Sequence, residues 1–172
     1  IPLSKLPVPG NPIPETSVAV INSIKIAVEW ALKGIVDGIV TNPIHKDTLY
    51  KAGFHYPGHT EYLAKLAGAL NPPVMMLTCP GLRTVPVTTH LSLRQALDEL
   101  TTERIVEQSI ATDTAMRNDF GINSPRLAIA GLNPHAGEAG SMGSEEITII
   151  SPAINILKNQ GINIVGPVSP DT

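Results

Sequence analysis

The sequence predicts an α/β protein with a mostly parallel sheet and helices on both faces. Three observations lead there. Short apolar runs at 35–40, 74–78, 84–89, 127–130 and 162–165 alternate with stretches of helical period. Aromatic residues make up only 3% of the chain, so the core falls to Ile, Val, Leu and Ala, which suits buried parallel strands. The 16 prolines and 14 glycines fall mostly between these runs, where they punctuate elements.

The elements follow in order. Residues 1–15 are proline-rich without period and read as extended chain. A first helix runs from Glu15 or Ser17 to Lys33, with Ile21, Ile24, Val28, Ala31 and Leu32 at spacings of three or four and Gly34 stopping it. Strand 35–40 leads into Thr41-Asn-Pro-Ile-His-Lys46. A short helix over 46–52 ends at Gly53. Thr60 can cap a helix over 61–67 closed by Gly68, which sets His59 beside free N–H groups, a place suited to anions. Strand 74–78 carries Met75 and Met76 as core filler. Strand 84–89 runs into His90, and Ser92 with Gln95 forms a capping box for a short helix. A long helix over 102–118 buries Val106, Ile110 and Met116. Strand 127–130 opens into Gly131-Leu-Asn-Pro-His-Ala-Gly-Glu138. The last helix, 145–159, presents Ile147, Ile150, Ile154 and Leu157 as its apolar stripe, and Pro152 should kink or split it.

Composition excludes several functions. The net charge of -3 and the absence of a Lys/Arg cluster argue against a nucleic-acid surface. No apolar run is long enough to span a membrane. One cysteine, Cys79, excludes an intrachain disulfide and fits a reducing, cytoplasmic setting. The opening residue is not Met and the chain stops just past a strand. Both ends therefore read as cuts in a longer chain, with 1–35 as linker or the end of a preceding domain, and 36–172 as an incomplete α/β domain.

Four of the five histidines fall at loops or strand-to-helix junctions: His45, His59, His90 and His135. His55 is incidental. In a parallel sheet, strands 84–89 and 127–130 deliver His90 and His135, 45 residues apart, to the same edge. Two imidazoles there begin a zinc or other divalent site, which usually takes three protein ligands. Glu138 and Asp171 are the carboxylates to consider, and spacing does not choose between them. Arg83 and Arg94 could pair with phosphate or carboxylate. No dinucleotide fingerprint, P-loop, paired-cysteine or metalloprotease motif is present.

Taken together, Thr41-Asn-Pro-Ile-His-Lys46, Pro57-Gly-His-Thr-Glu61, Thr88-Thr-His-Leu-Ser-Leu-Arg94, Gly131-Leu-Asn-Pro-His-Ala-Gly-Glu138 and Gly166-Pro-Val-Ser-Pro-Asp-Thr172 closely resemble the 4-hydroxythreonine-4-phosphate dehydrogenase family of vitamin B6 biosynthesis. The resemblance covers 22–172. It implies a fold like part of the isocitrate and isopropylmalate dehydrogenases, with a site in a cleft between two domains of a homodimer. It implies oxidation of 4-phosphooxy-L-threonine by NAD or NADP, then decarboxylation to 3-amino-2-oxopropyl phosphate. His59 and Thr60 match the family's substrate-binding pair. His90 and His135 match two of three histidine ligands to a divalent ion (zinc, magnesium or cobalt), the third lying in a later segment. Lys46 is the candidate for proton transfer. Residues 36–172 are then the metal- and substrate-binding domain and also the dimerisation domain. The remaining alternatives are a related dehydrogenase acting on another hydroxy acid, or a non-catalytic metal-binding or dimerisation fragment.

Overall fold

Proline and a β-branched run set the first boundary. Pro14–Thr16 makes one 3-10 turn, and α1 follows over Ser17–Leu32. In this computed structural model, which describes residues 1–3 and 5–169, the chain divides into two compact units, Ile1–Pro73 and Val74–Thr172. The candidate carboxylate Asp171 lies outside the described residues, as does the end of the last motif.

In the first unit α1 buries Ser17, Ile24 and Val28, spaced so as to share one face. Leu32, expected on that face, is exposed. Helix α2 spans Lys46–Lys51 and α3 spans His59–Ala67. Their core joins Ile24, Val28, Leu49, Phe54 and Tyr62. The expectation of a purely aliphatic core fails here. Phe54, Tyr56 and Tyr62 form a three-ring cluster with centroids 5.0 to 5.3 Å apart. Few rings suffice because each buries a large area and edge-to-face packing adds to it. The strand expected at 35–40 is not formed. A strand needs a second backbone to take its N–H and C=O groups, and none pairs with these residues among those described. Val40 is fully exposed as a result.

In the second unit β1 (Leu77–Cys79) and β2 (Leu82–Thr84) form an antiparallel hairpin, with Cys79 opposite Leu82 across the Pro80-Gly81 turn. The run 84–89 contributes only its first residue to a strand. Pro86 has no N–H to give a ladder. Helix α4 (Leu93–Asp98) starts on the expected capping box: Ser92 Oγ accepts from the Gln95 N–H, and the Ser92 N–H donates to Gln95 Oε1 at 3.1 Å. Helix α5 (Thr102–Asn118) is capped by Thr101. Strand β3 (Leu127–Ala130) pairs in parallel with β4 (Ile164–Val168), Leu127 opposite Ile164, with α6 (Ser151–Asn159) in the crossover between them. Among the described residues, then, one strand pairing is parallel and one antiparallel, and each sheet has two strands.

The core of this unit is Ile105, Ile150, Ala153, Ile154, Leu157 and Ile164. The faces of its long helices differ from the expected ones by about one residue. On α5 the buried positions are Ile105, Ser109 and Asp113, and Ile110 is on the exposed side. Ahead of α6 the chain makes a π turn over Glu146–Ile150, closed by the Ser151 N–H on the Glu146 carbonyl. The interruption expected at Pro152 takes this form: the π turn ends at Ile150 and α6 begins at Ser151, so the proline sits in the first turn of α6, where its missing N–H is tolerated. The wide π turn sets Glu146, not Ile147, above Ile150. Glu146 is 3% exposed and Ile147 is 54% exposed.

Candidate active site

The first unit brings Lys46 and the start of α3 together. Gly58 precedes α3 with an extended backbone and no side-chain cap. The residue expected to cap, Thr60, is instead inside the helix, because the chain turns helical at His59. A Cβ on Gly58 would stand 3.9 Å from Lys46 Nζ and 3.6 Å from Glu61 Oε2. A cation therefore lies beside the uncapped N–H groups of a helix that starts with His59 and Thr60, an arrangement that favours an anion. His59 Nε2 and Tyr62 Oη are buried and without hydrogen-bond partners. His59 also lines a cavity of about 510 Å³ whose wall includes Thr41, Asn42, Pro43 and Ile44. The first two motifs thus share one hollow. His45 is accounted for differently: its Nδ1 lies 2.7 Å from Thr48 Oγ1 and accepts from the Thr48 N–H, capping α2. His55 is exposed.

The second unit holds His90 and His135. Both have left-handed backbone, φ 59° and 52°, which a residue with a Cβ rarely adopts. His135 opens a run of five left-handed residues ending at Ala139. For the non-glycine members this costs on the order of 1–2 kcal/mol each, so surrounding structure must enforce it. The segments that lead to the two histidines, Pro86 to Thr88 and Gly131 to Asn133, line one cavity of about 530 Å³ with Leu93, Leu97 and Ile150. Among the described residues no three His, Cys, Asp or Glu side chains group as a metal site. Glu138, left open as a third ligand, is not drawn into such a group. The imidazoles of His90 and His135 are of a donor type that suits zinc or cobalt better than magnesium.

Glu146 organises the turn that carries His135. Its Oε1 accepts from the Leu132 N–H at 2.8 Å and the Asn133 N–H at 2.7 Å, and its Oε2 accepts from Asn133 Nδ2 at 2.9 Å. The same amide donates to Glu145 Oε2 at 2.8 Å. Burial pushes the Glu146 carboxyl up, but the bonds from Asn133 and Leu132 outweigh it and hold the group below the ordinary 4.5. Glu145 is also held low, first by the Asn133 amide. A Cβ on Gly137 would come within 2.6 Å of Glu146 Oε2, and one on Gly143 would collide with the Asn133 amide. These glycines leave room for the carboxylates. Sequence reading passed over Glu145, Glu146 and Asn133. The available signal was the acidic pair at the start of a helix, with Glu146 four positions before Ile150 and so close to the apolar stripe.

Comparison with known proteins accounts for this set of motifs. The family model described as pyridoxal phosphate biosynthetic protein PdxA matches residues 1–172. A 4-hydroxythreonine-4-phosphate dehydrogenase from Bradyrhizobium diazoefficiens is 51% identical over 167 residues, 95% of this chain and 48% of its own length. One from Caulobacter vibrioides is 48% identical over all of this chain and 53% of its own length. The chain thus spans about half the length of the curated relatives it matches. The crystal structure of 4-hydroxythreonine-4-phosphate dehydrogenase from Klebsiella pneumoniae superposes with a TM-score of 0.92 at 40% identity, covering 100% of this chain and 52% of that one. A terephthalate 1,2-cis-dihydrodiol dehydrogenase from Burkholderia xenovorans is more distant, with TM-score 0.68 and 28% identity over 99% of this chain and 56% of that one. With its whole described length matched and its five motifs in order, the chain belongs to the PdxA family of pyridoxal phosphate biosynthetic proteins.

Proposed function

We propose that the protein in its full-length form oxidises 4-phosphooxy-L-threonine with NAD or NADP and decarboxylates the product to 3-amino-2-oxopropyl phosphate. The observation that carries this reading is the family match over 1–172, joined to the left-handed backbone at both His90 and His135. His90 and His135 would hold a divalent ion (zinc, cobalt or magnesium) with a third ligand from outside these residues. When bound, the ion and the nicotinamide supply Lewis acidity at the substrate alcohol and a hydride acceptor.

The chain's own groups do the rest. His59 and Thr60 bind substrate at the start of α3. The unpartnered His59 Nε2 and the uncapped helix end support that role, since both lack a protein partner that a phosphate or carboxylate could supply. Lys46, whose Nζ lies beside the same helix end, would add positive charge there and hold or pass a proton. The protein works as a homodimer with sites at the subunit interface, and residues 36–172 form its metal-, substrate- and dimer-binding domain.

Replacing His90 or His135 with Ala in the full-length protein should lower zinc affinity and turnover together. Metal titration showing wild-type affinity in both variants overturns the ligand assignment. A second reading is favoured by the Burkholderia xenovorans neighbour, which is named for a cis-dihydrodiol substrate. Oxidation of 4-phosphooxy-L-threonine in preference to a cis-dihydrodiol or an unphosphorylated hydroxy acid separates the two.

A further inference from the structure

The structure assigns Glu146 the part of a positioning residue: its carboxylate is the post around which the left-handed turn carrying His135 is wound. The inference deepens the reading of His135 as a metal ligand and rests on it. Strand β3 ends at Ala130, and just after it the N–H of Gly131 is held by the Val168 carbonyl at 2.8 Å. The turn then folds back on itself so closely that a Cβ on Gly131 would lie 2.9 Å from Ala136 Cα. Glu146 occupies the middle of that fold. One carboxylate oxygen fixes the Leu132 and Asn133 amides on the incoming side. The other faces Gly137 on the outgoing side, 2.6 Å from where its Cβ would be. Between the amides that Glu146 binds and the glycine it packs against lie His135 and Ala136, both left-handed.

The local fold is arranged to put a carboxylate there. The π turn rotates Glu146 inward and Ile147 outward, so a charge takes a position that the apolar stripe would otherwise give to isoleucine. A buried charge is a poor way to fill a core and a good way to gather several N–H groups at one point. Its product is the backbone conformation of His135.

The test uses the full-length protein and four variants: Glu146→Ala, Glu146→Gln, Gly137→Ala and His135→Ala. Zinc affinity is measured by competition with a chromophoric chelator, and exchange of the amides over 131–143 by mass spectrometry. Glu146→Ala and Gly137→Ala should each weaken zinc binding by about tenfold or more, with helix content unchanged and the Leu132 and Asn133 amides exchanging faster in Glu146→Ala. Glu146→Gln, which keeps one acceptor oxygen, should fall between. A merely structural Glu146 would lower thermal stability and leave zinc affinity intact, and that result overturns the proposal. So does unchanged protection of Leu132 and Asn133. If Glu146→Ala does not fold, Glu146→Gln and Gly137→Ala decide by the same criteria. If His135→Ala binds zinc as the parent does, the metal reading fails. Exchange then judges Glu146 alone: deprotection of the turn in Glu146→Ala but not in His135→Ala supports the post, and protection in both refutes it.

Discussion

Glu146 carries its charge in the interior because three donors from two neighbouring residues converge on it. Hydrogen bonds to a charged acceptor contribute about 1.5–3 kcal/mol each before any overlap between them is discounted. Since the folded group titrates below its ordinary 4.5, the native state binds the proton less readily than the unfolded chain. Its stabilisation is therefore complete above about pH 4.5 and is lost as the pH falls through the lower, folded value. Urea midpoints measured from pH 7 down to pH 3 should fall more steeply in the parent than in Glu146→Gln. Parallel curves would show that this carboxylate does not drive the acid loss. The histidines differ among themselves at the same scale. His45 spends its Nδ1 on a helix cap, whereas His90 and His135 occupy backbone conformations that only an enforcing structure holds.

Among the elements, the caps behave as local chemistry dictates and the helix faces do not. Ser92 and Gln95 satisfy each other's backbone N–H groups at the start of α4, so Ser92→Ala should cost about 1 kcal/mol, seen as a small drop in thermal midpoint with no change in zinc affinity. The face of a long helix depends on what packs against it, and one π turn shifts it. That is why Ile150, Ile154 and Leu157 are buried as the stripe predicts while Ile147 is exposed. Helix α3 illustrates the same limit at a terminus. Thr60 is a good capping residue by type, yet the helix begins one residue before it, at His59, with Gly58 in the capping position.

Over the whole molecule the two units have separate cores, one built around an aromatic trio and one around α5, α6 and β4. Leu157 is fully buried in the second, so Leu157→Ala should destabilise by about 3 kcal/mol through lost burial and the cavity left behind. Urea unfolding read by circular dichroism measures it, and a loss under about 1 kcal/mol would mean the site collapses or is loosely packed. No helix among the described residues is long and apolar enough to cross a membrane.

The sequence by itself determined most of the helix positions, the capping box and the family. Each of these follows from local period, from turn chemistry, or from motifs whose residue types and order are specific. His135 was legible as a loop residue because Gly, Pro and Asn follow the strand at 127–130, whereas the strand expected to lead into His90 ends at Thr84. Tertiary structure alone decided the rest. Whether 35–40 becomes a strand depends on a partner backbone, which no run of Ile and Val contains. The hairpin at 77–84 replaced a parallel strand because Pro86 cannot continue a ladder. Glu146 was invisible as a site residue, since its role requires three donors that lie more than ten positions earlier in the chain. A sequence states which side chains are available. The packing of one turn against one helix decided that a carboxylate, rather than an isoleucine, would hold His135 in place.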